Sequence, residues 1–302
     1  MHFIFEPGFF SSEPVHIAFV VGGVTAIVSA IVGVFTVVRG QSFAGHALTD
    51  VATTGGSGAF YLNISPLVGF LGAGVLGAGA MDLAGVERLR GRDVATGIVL
   101  GFATGLSALF LYLDTTKSAT TGVSQQILFG SIFTLDASTI PLVVVMSVLT
   151  LAVVFAIYRP LLLSSISPDL AAARGIRTRL VGILFMLAMA IAVGLSSIAI
   201  GSILSTALLI GPAATSLRLT KSLCNALVWS SVMGVVTTWL GILLAYNSYY
   251  WFPSSQGLPV SFFIVALIFV AYLLSGVPGL RRGPDRRELA VPSAEVAPAE
   301  VI

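Results

Sequence analysis

SFAGHALTDVATTGGSGAFYL, residues 42–62, is a stretch long enough to cross a bilayer that carries a polar stripe inside an otherwise apolar run. Ser42, His46, Asp50, Thr53, Thr54, Ser57 and Tyr61 recur at spacings that place them on one face of a helix. An ionisable residue at membrane depth is costly unless it pairs with another group or lines a wet path. The stripe therefore points to a route for a solute through a membrane.

The rest of the chain agrees. Of its 302 residues 56% are hydrophobic and 9% charged, with a mean hydropathy of +1.01, where a soluble domain would carry about a quarter charged residues. Besides Phe43 to Leu62, eight further stretches have membrane length: Val15 to Val38, Pro66 to Ala84, Val94 to Leu113, Thr139 to Tyr158, Leu180 to Ser197, Ser202 to Leu219, Cys224 to Tyr246 and Val260 to Gly276. The expectation is an all-α polytopic membrane protein with about nine transmembrane helices. Residues 1–280 form its membrane domain and residues 281–302, rich in Arg, Pro, Glu and Ala, form a disordered tail. Gln125 to Phe133 reads as a partial span or an interfacial helix. The start of the chain lacks the basic region and small-residue cleavage site of a signal peptide, so the first apolar run is expected to be retained as a span.

Charge sets the expected orientation. With the C-terminal tail cytoplasmic, alternation of spans puts fourteen of the fifteen basic residues inside and only Lys117 outside, as the positive-inside rule requires. The N-terminus then lies outside the cell membrane, on the side of Glu6, Glu13, Asp114 and Asp136. These acids read either as a cation-attracting entrance or as solvated surface. His2 and His16 fall on the same side and could capture an incoming metal. Gly69, Gly72, Gly74, Gly77 and Gly79 suggest close helix packing, and the single cysteine, Cys224, suggests a small packed side chain.

The longest interior polar connection, residues 164–179, contains Ser167-Pro168-Asp169-Leu170-Ala171-Ala172-Ala173-Arg174-Gly175. Serine at the N-cap, proline at N1, an acid in the first turn and a glycine stop predict a short capped helix. A helix of two turns is not stable alone in water, so it needs a partner surface.

This segment resembles the cytoplasmic coupling segment of the zinc, manganese and iron permeases of ATP-binding cassette importers. The run Gly201-Ser202-Ile203-Leu204-Ser205-Thr206-Ala207-Leu208-Leu209-Ile210-Gly211-Pro212-Ala213-Ala214-Thr215 is similar to that family's Leu-Leu-Ile and Pro-Ala-Ala-Thr pattern, and the early histidine-bearing span agrees. The resemblance covers Val15 to Gly276. It implies a permease that pairs with a second copy, docks on cytoplasmic ATP-binding subunits through Ser167, Pro168, Asp169, Leu170, Ala171, Arg174 and Gly175, and receives a divalent metal from an extracytoplasmic metal-binding protein. The metal would be transported rather than held as a tight cofactor. No phosphate-binding loop of the Gly-x-x-x-x-Gly-Lys-Ser/Thr kind is present, so ATP hydrolysis falls to another chain. Membrane lipid is the remaining partner expected; nucleic acid is not.

His46 and Asp50 are the expected metal-pathway residues, with Ser42, Thr53, Thr54 and Ser57 as weaker lining. Family members carry an aspartate four residues before the histidine, where this chain has Ser42; Asp50, one turn after His46, would take over the carboxylate role. Histidine with a carboxylate suits zinc, manganese or iron. Another reading has His46 and Asp50 satisfy one another or a backbone carbonyl while joining two helices, with the threonines and serine bonded to their own backbone.

Three other functions fit parts of the sequence. Permeases for iron chelates or corrinoids share the coupling logic. A stand-alone ion-coupled carrier would not explain the capped loop helix. Gly55-Gly56-Ser57-Gly58 fits the pattern of intramembrane serine proteases, but a nucleophilic serine needs a base in reach, and all three histidines precede Ser57.

Overall fold

A chain surrounded by lipid must satisfy its backbone N–H and C=O groups internally, and among the described residues helices joined by short turns supply the backbone bonds. The computed structural model describes residue 9 and residues 12–83, 92–118, 122–130, 132–249, 251 and 257–277. Its helices are α1 (Glu13–Val38), α2 (Ser42–Tyr61), α3 (Pro66–Leu83), α4 (Arg92–Ser118), α5 (Gly122–Phe129), α6 (Thr139–Ala156), α7 (Tyr158–Ile166), α8 (Pro168–Ala173), α9 (Thr178–Ile200), α10 (Ser202–Leu219), α11 (Leu223–Ser248) and α12 (Val260–Leu274). His2, Glu6, Lys117's side chain and the expected tail lie outside the described residues.

A helix stands at every one of the nine expected stretches. Seven of them, α1, α3, α4, α6, α9, α10 and α11, are long and apolar enough to span a membrane. The polar stripe keeps α2 out of that set by composition, and α12, at 15 residues, falls short by length. Two elements depart from expectation. The sixth helix stops at Ala156 and a separate α7 follows, and the Gln125 region is an eight-residue helix, α5, followed by a short turn at Ile132–Thr134.

α1 and α9 form the centre of the bundle and are buried over most of their length, while α4 sits at its edge. Because lipid is as apolar as leucine, close backbone approach rather than hydrophobic burial decides which helices pair. At Gly33 of α1 a Cβ would fall 1.7 Å from the Leu209 carbonyl oxygen of α10. α2 and α3 cross at a reciprocal glycine contact, with a Cβ on Gly55 landing 2.1 Å from the Gly69 oxygen and one on Gly69 landing 2.3 Å from the Gly55 oxygen. At Gly77 the space is taken by the Val51 side chain, 2.4 Å from where a Cβ would fall, but Gly72 and Gly79 face open space. The glycine-rich α3 is thus a packing surface along only part of its circumference.

Two further expectations fail. Cys224 is exposed at the start of α11 rather than packed. Asp114 is buried at 5% exposure and is not part of a solvated acidic entrance, whereas Glu13 and Asp136 are exposed.

The connecting loop folds as its sequence requires. Ser167 is the N-cap of α8 and its hydroxyl accepts from the Leu170 amide at 3.3 Å. Proline occupies the first turn, Arg174 is the C-cap, and Gly175 follows at φ +76°, the left-handed position that glycine fills without strain. Ala171 is buried, while Asp169, Leu170 and Arg174 face outward.

Candidate metal pathway

The polar stripe of α2 is treated differently along its length. Ser42 and Asp50 are half-buried and His46 is exposed, but Thr53 and Ser57, on the same face, are buried. The cause is α4, which meets the stripe at Asp50 and lies over its C-terminal half. Thr104 of α4 donates to Asp50 Oδ2 at 2.7 Å, Thr54 donates to the Ala103 carbonyl at 2.8 Å, and Phe110 stacks at 6.3 Å from Tyr61. The one exposed member of the stripe, His46, lies in the N-terminal half between half-buried Ser42 and Asp50.

Beneath α4 the stripe turns inward on its own backbone. Thr53 donates to the Thr49 carbonyl at 2.8 Å, Thr54 also reaches the Asp50 carbonyl at 3.0 Å, and Ser57 donates to the Thr54 carbonyl at 3.1 Å. These are the bonds hydroxyls make in membrane helices. Ser57 is 1% exposed, and His46, the histidine nearest to it in sequence, contacts Thr206 of α10 instead.

His46 and Asp50 do not bond each other. His46 Nδ1 lies 3.2 Å from Thr206 Oγ1 of α10, and Thr206 Oγ1 lies 3.1 Å from Thr49 Oγ1. Thr49 can also donate to the Gly45 carbonyl at 3.1 Å. Each hydroxyl has one hydrogen. One proton order satisfies all three contacts: Thr49 gives its hydrogen to Gly45, Thr206 gives its own to Thr49, and Nδ1–H of His46 donates to Thr206. The neutral imidazole then keeps its lone pair on Nε2, the arrangement by which a hydrogen-bonded partner prepares a histidine for a metal.

Thr206 and Thr104 escaped attention in the sequence. A threonine in an apolar span gives no sign of whether it will bond its own helix or another, although Thr206 does sit two residues before the Leu208-Leu209-Ile210 run. Among the described residues no group of three or more His, Cys, Asp or Glu side chains comes together as a metal site. A single chain therefore offers one imidazole, one carboxylate a turn away and several hydroxyl oxygens. A cleft of about 730 Å³ lies elsewhere, between α5, the ends of α9 and α11, and residues 257–260, and excludes both His46 and Asp50. The open half-stripe is a surface feature, not a cavity closed by one chain.

A bundle of membrane-length helices with one face ionisable and open, and a capped helix in its longest loop, is a multi-pass membrane permease. The chain belongs to the ABC 3 transport family, whose model matches residues 11–275. It is 27% identical over 256 residues to the manganese transport system membrane protein MntC of Listeria innocua, covering 84% of this chain and 88% of that protein. It is 29% identical over 261 residues to the chelated iron transport system membrane protein YfeD of Yersinia pestis, covering 83% of this chain and 84% of that one. The solved structure of PsaBC from Streptococcus pneumoniae in complex with Fab contains a chain with the same fold, at a TM-score of 0.77 and 24% identity, with 93% of this chain and 96% of that chain covered.

Proposed function

We propose that this protein is the permease subunit of an ATP-driven importer for a divalent transition metal, with manganese as its substrate. The observation that carries the reading is the open half-stripe of α2, where His46 is held by Thr206 with Nε2 directed away from that bond. One imidazole joined by carboxylate and hydroxyl oxygens accepts manganese, iron or zinc by ligand type, so the choice of manganese rests on similarity. The manganese relative supports the choice of ion.

A site open on one chain and short of ligands is completed by a second copy, which places the path between two subunits and brings two His46 side chains to it. Partner ATP-binding subunits dock on α8, whose outward Asp169, Leu170 and Arg174 offer both charge and apolar surface. An extracytoplasmic binding protein delivers the ion to the opposite face. In this reading the cytoplasmic side carries the basic loops and the C-terminus, and the outer side carries the N-terminus.

The test is uptake of radiolabelled manganese into vesicles that hold the permease with its ATPase and binding-protein partners, competed by excess iron or zinc. ATP-dependent accumulation suppressed least by zinc is the expected result. The chelated iron relative supports the competing reading, in which an iron chelate is taken up and free manganese is not.

A further inference from the structure

Arg39 closes α1 where the chain turns into α2, and its side chain reaches across to α7. Its Nη1 donates to Ser164 Oγ at 3.1 Å and stands 3.5 Å from Ser165 Oγ, while Nε donates to Gln41 Oε1 at 3.3 Å. The same guanidinium lies 5.5 Å over the ring of Phe185 in α9. Both serine hydroxyls can direct their hydrogens to the Leu161 carbonyl, at 3.0 and 2.5 Å, which turns their lone pairs toward Arg39. Gln41 is the N-cap residue of α2 and is buried at 3% exposure. One planar cation thus joins the end of α1, the start of α2, the last turn of α7 and the side of α9. A guanidinium fork with five fixed N–H groups can engage all of these partners at once, and an ammonium only some of them.

The two ends of this junction lead to the two working parts of the molecule. α7 ends at Ser167, the N-cap of α8, so Ser164 and Ser165 stand within a turn of the proposed docking helix. Gln41 opens the helix that carries His46. The turn between α1 and α2 is itself tight, with the Gln41 amide on the Thr36 carbonyl at 2.9 Å and Gly40 on Val37 at 3.1 Å.

We propose that Arg39 is a positioning residue that transmits displacement of α8 to α2, so that movement of the partner ATPase reorients the His46 face. The proposal rests on the reading of the chain as an ATP-driven permease that docks through α8. It assigns to Arg39 no contact with the metal.

The experiment uses the complete transporter in vesicles and reads ATP hydrolysed per manganese ion imported. Arg39→Ala is expected to raise this ratio roughly tenfold, the size of effect that follows from losing one charge-assisted contact, with assembly and basal hydrolysis retained. Arg39→Lys restores the ratio in part. The double variant Ser164→Ala with Ser165→Ala leaves Arg39 in place, removes its acceptors on α7, and is expected to shift the ratio in the same direction. It also decides the matter where Arg39→Ala fails to assemble. A residue with only a structural role would lower thermal stability and leave the ratio unchanged, and an unchanged ratio in the assembled variants overturns the proposal. Ala172→Pro in the same vesicles separates the parent reading. If it too leaves assembly and ratio normal, α8 is not the coupling element; if it uncouples while Arg39→Ala does not, Arg39 alone is excluded.

Discussion

His46 of α2 and Thr206 of α10 meet at 3.2 Å, and Thr206 continues to Thr49, so one hydroxyl ties two helices together and orients the only imidazole of the open stripe. Thr206→Val keeps the shape and removes the hydroxyl. The prediction is a loss of about 10- to 100-fold in apparent affinity for manganese, the usual range when an outer partner of a ligating histidine is removed, while Thr206→Ser retains most of it. Concentration-dependent uptake normalised to folded permease measures this. Equal affinity in Thr206→Val and the parent protein would show that the contact only joins helices.

Asp50 is split from His46 by its bond to Thr104, and this separates two roles that a single alanine substitution would confuse. Asp50→Asn retains an acceptor for the Thr104 hydroxyl but removes the charge. Thr104→Ala removes the bond and leaves the charge. If Asp50 serves the ion, uptake falls at least about tenfold in Asp50→Asn, one charge-assisted contact being worth that much, and stays near normal in Thr104→Ala. The reverse order would make the pair a fastening between α2 and α4. His46→Ala is expected to abolish uptake in either case.

How much of this was readable beforehand follows from the physics of each feature. The nine helices were legible because lipid demands long apolar runs, and α8 because its cap, proline and glycine stop are local chemistry at known offsets. The stripe on α2 was legible as a periodicity. Its division at Asp50 was not, since that depends on where α4 crosses, a matter of tertiary packing with no local signal. The same is true of Thr206, Thr104 and Arg39, whose partners lie 160, 54 and 125 residues away in sequence. Asp114 was misplaced for a related reason: a carboxylate at the end of a span looks solvated until neighbouring helices are placed over it.

Glycine packing offers a test of stability independent of transport. A methyl group at Gly33 would sit 1.7 Å from the Leu209 oxygen, and backbone cannot yield as a flexible side chain can. Gly33→Ala must therefore push α1 away from α10. It is expected to destabilise the purified permease by about 3 kcal/mol or more, at the upper end for overpacked sites. Gly79→Ala meets nothing within 4 Å and gains helix propensity, so it should be neutral or slightly stabilising. Thermal denaturation in detergent compares the two. Comparable stability would mean that α1 and α10 are free to separate, and that their close contact does not hold the bundle.

Orientation rests on the division of basic residues and on the number of crossings, so it is tested by labelling from one side. Cys224 is exposed and would react with a thiol reagent, so it is first changed to alanine. A cysteine at Ser12, immediately before α1, is then predicted to react with a membrane-impermeant reagent in intact cells, and one at Ser293 only after permeabilisation. The charge bias outweighs other signals in short loops, but it can be overruled by a segment that fails to insert. By composition that segment is α2. Labelling of both positions from the same side would mean an even number of crossings, with α2 or the α5 region entering and leaving on one face. His46 would then lie near a membrane surface rather than along a path, and its bond to Thr206 would lose its bearing on transport.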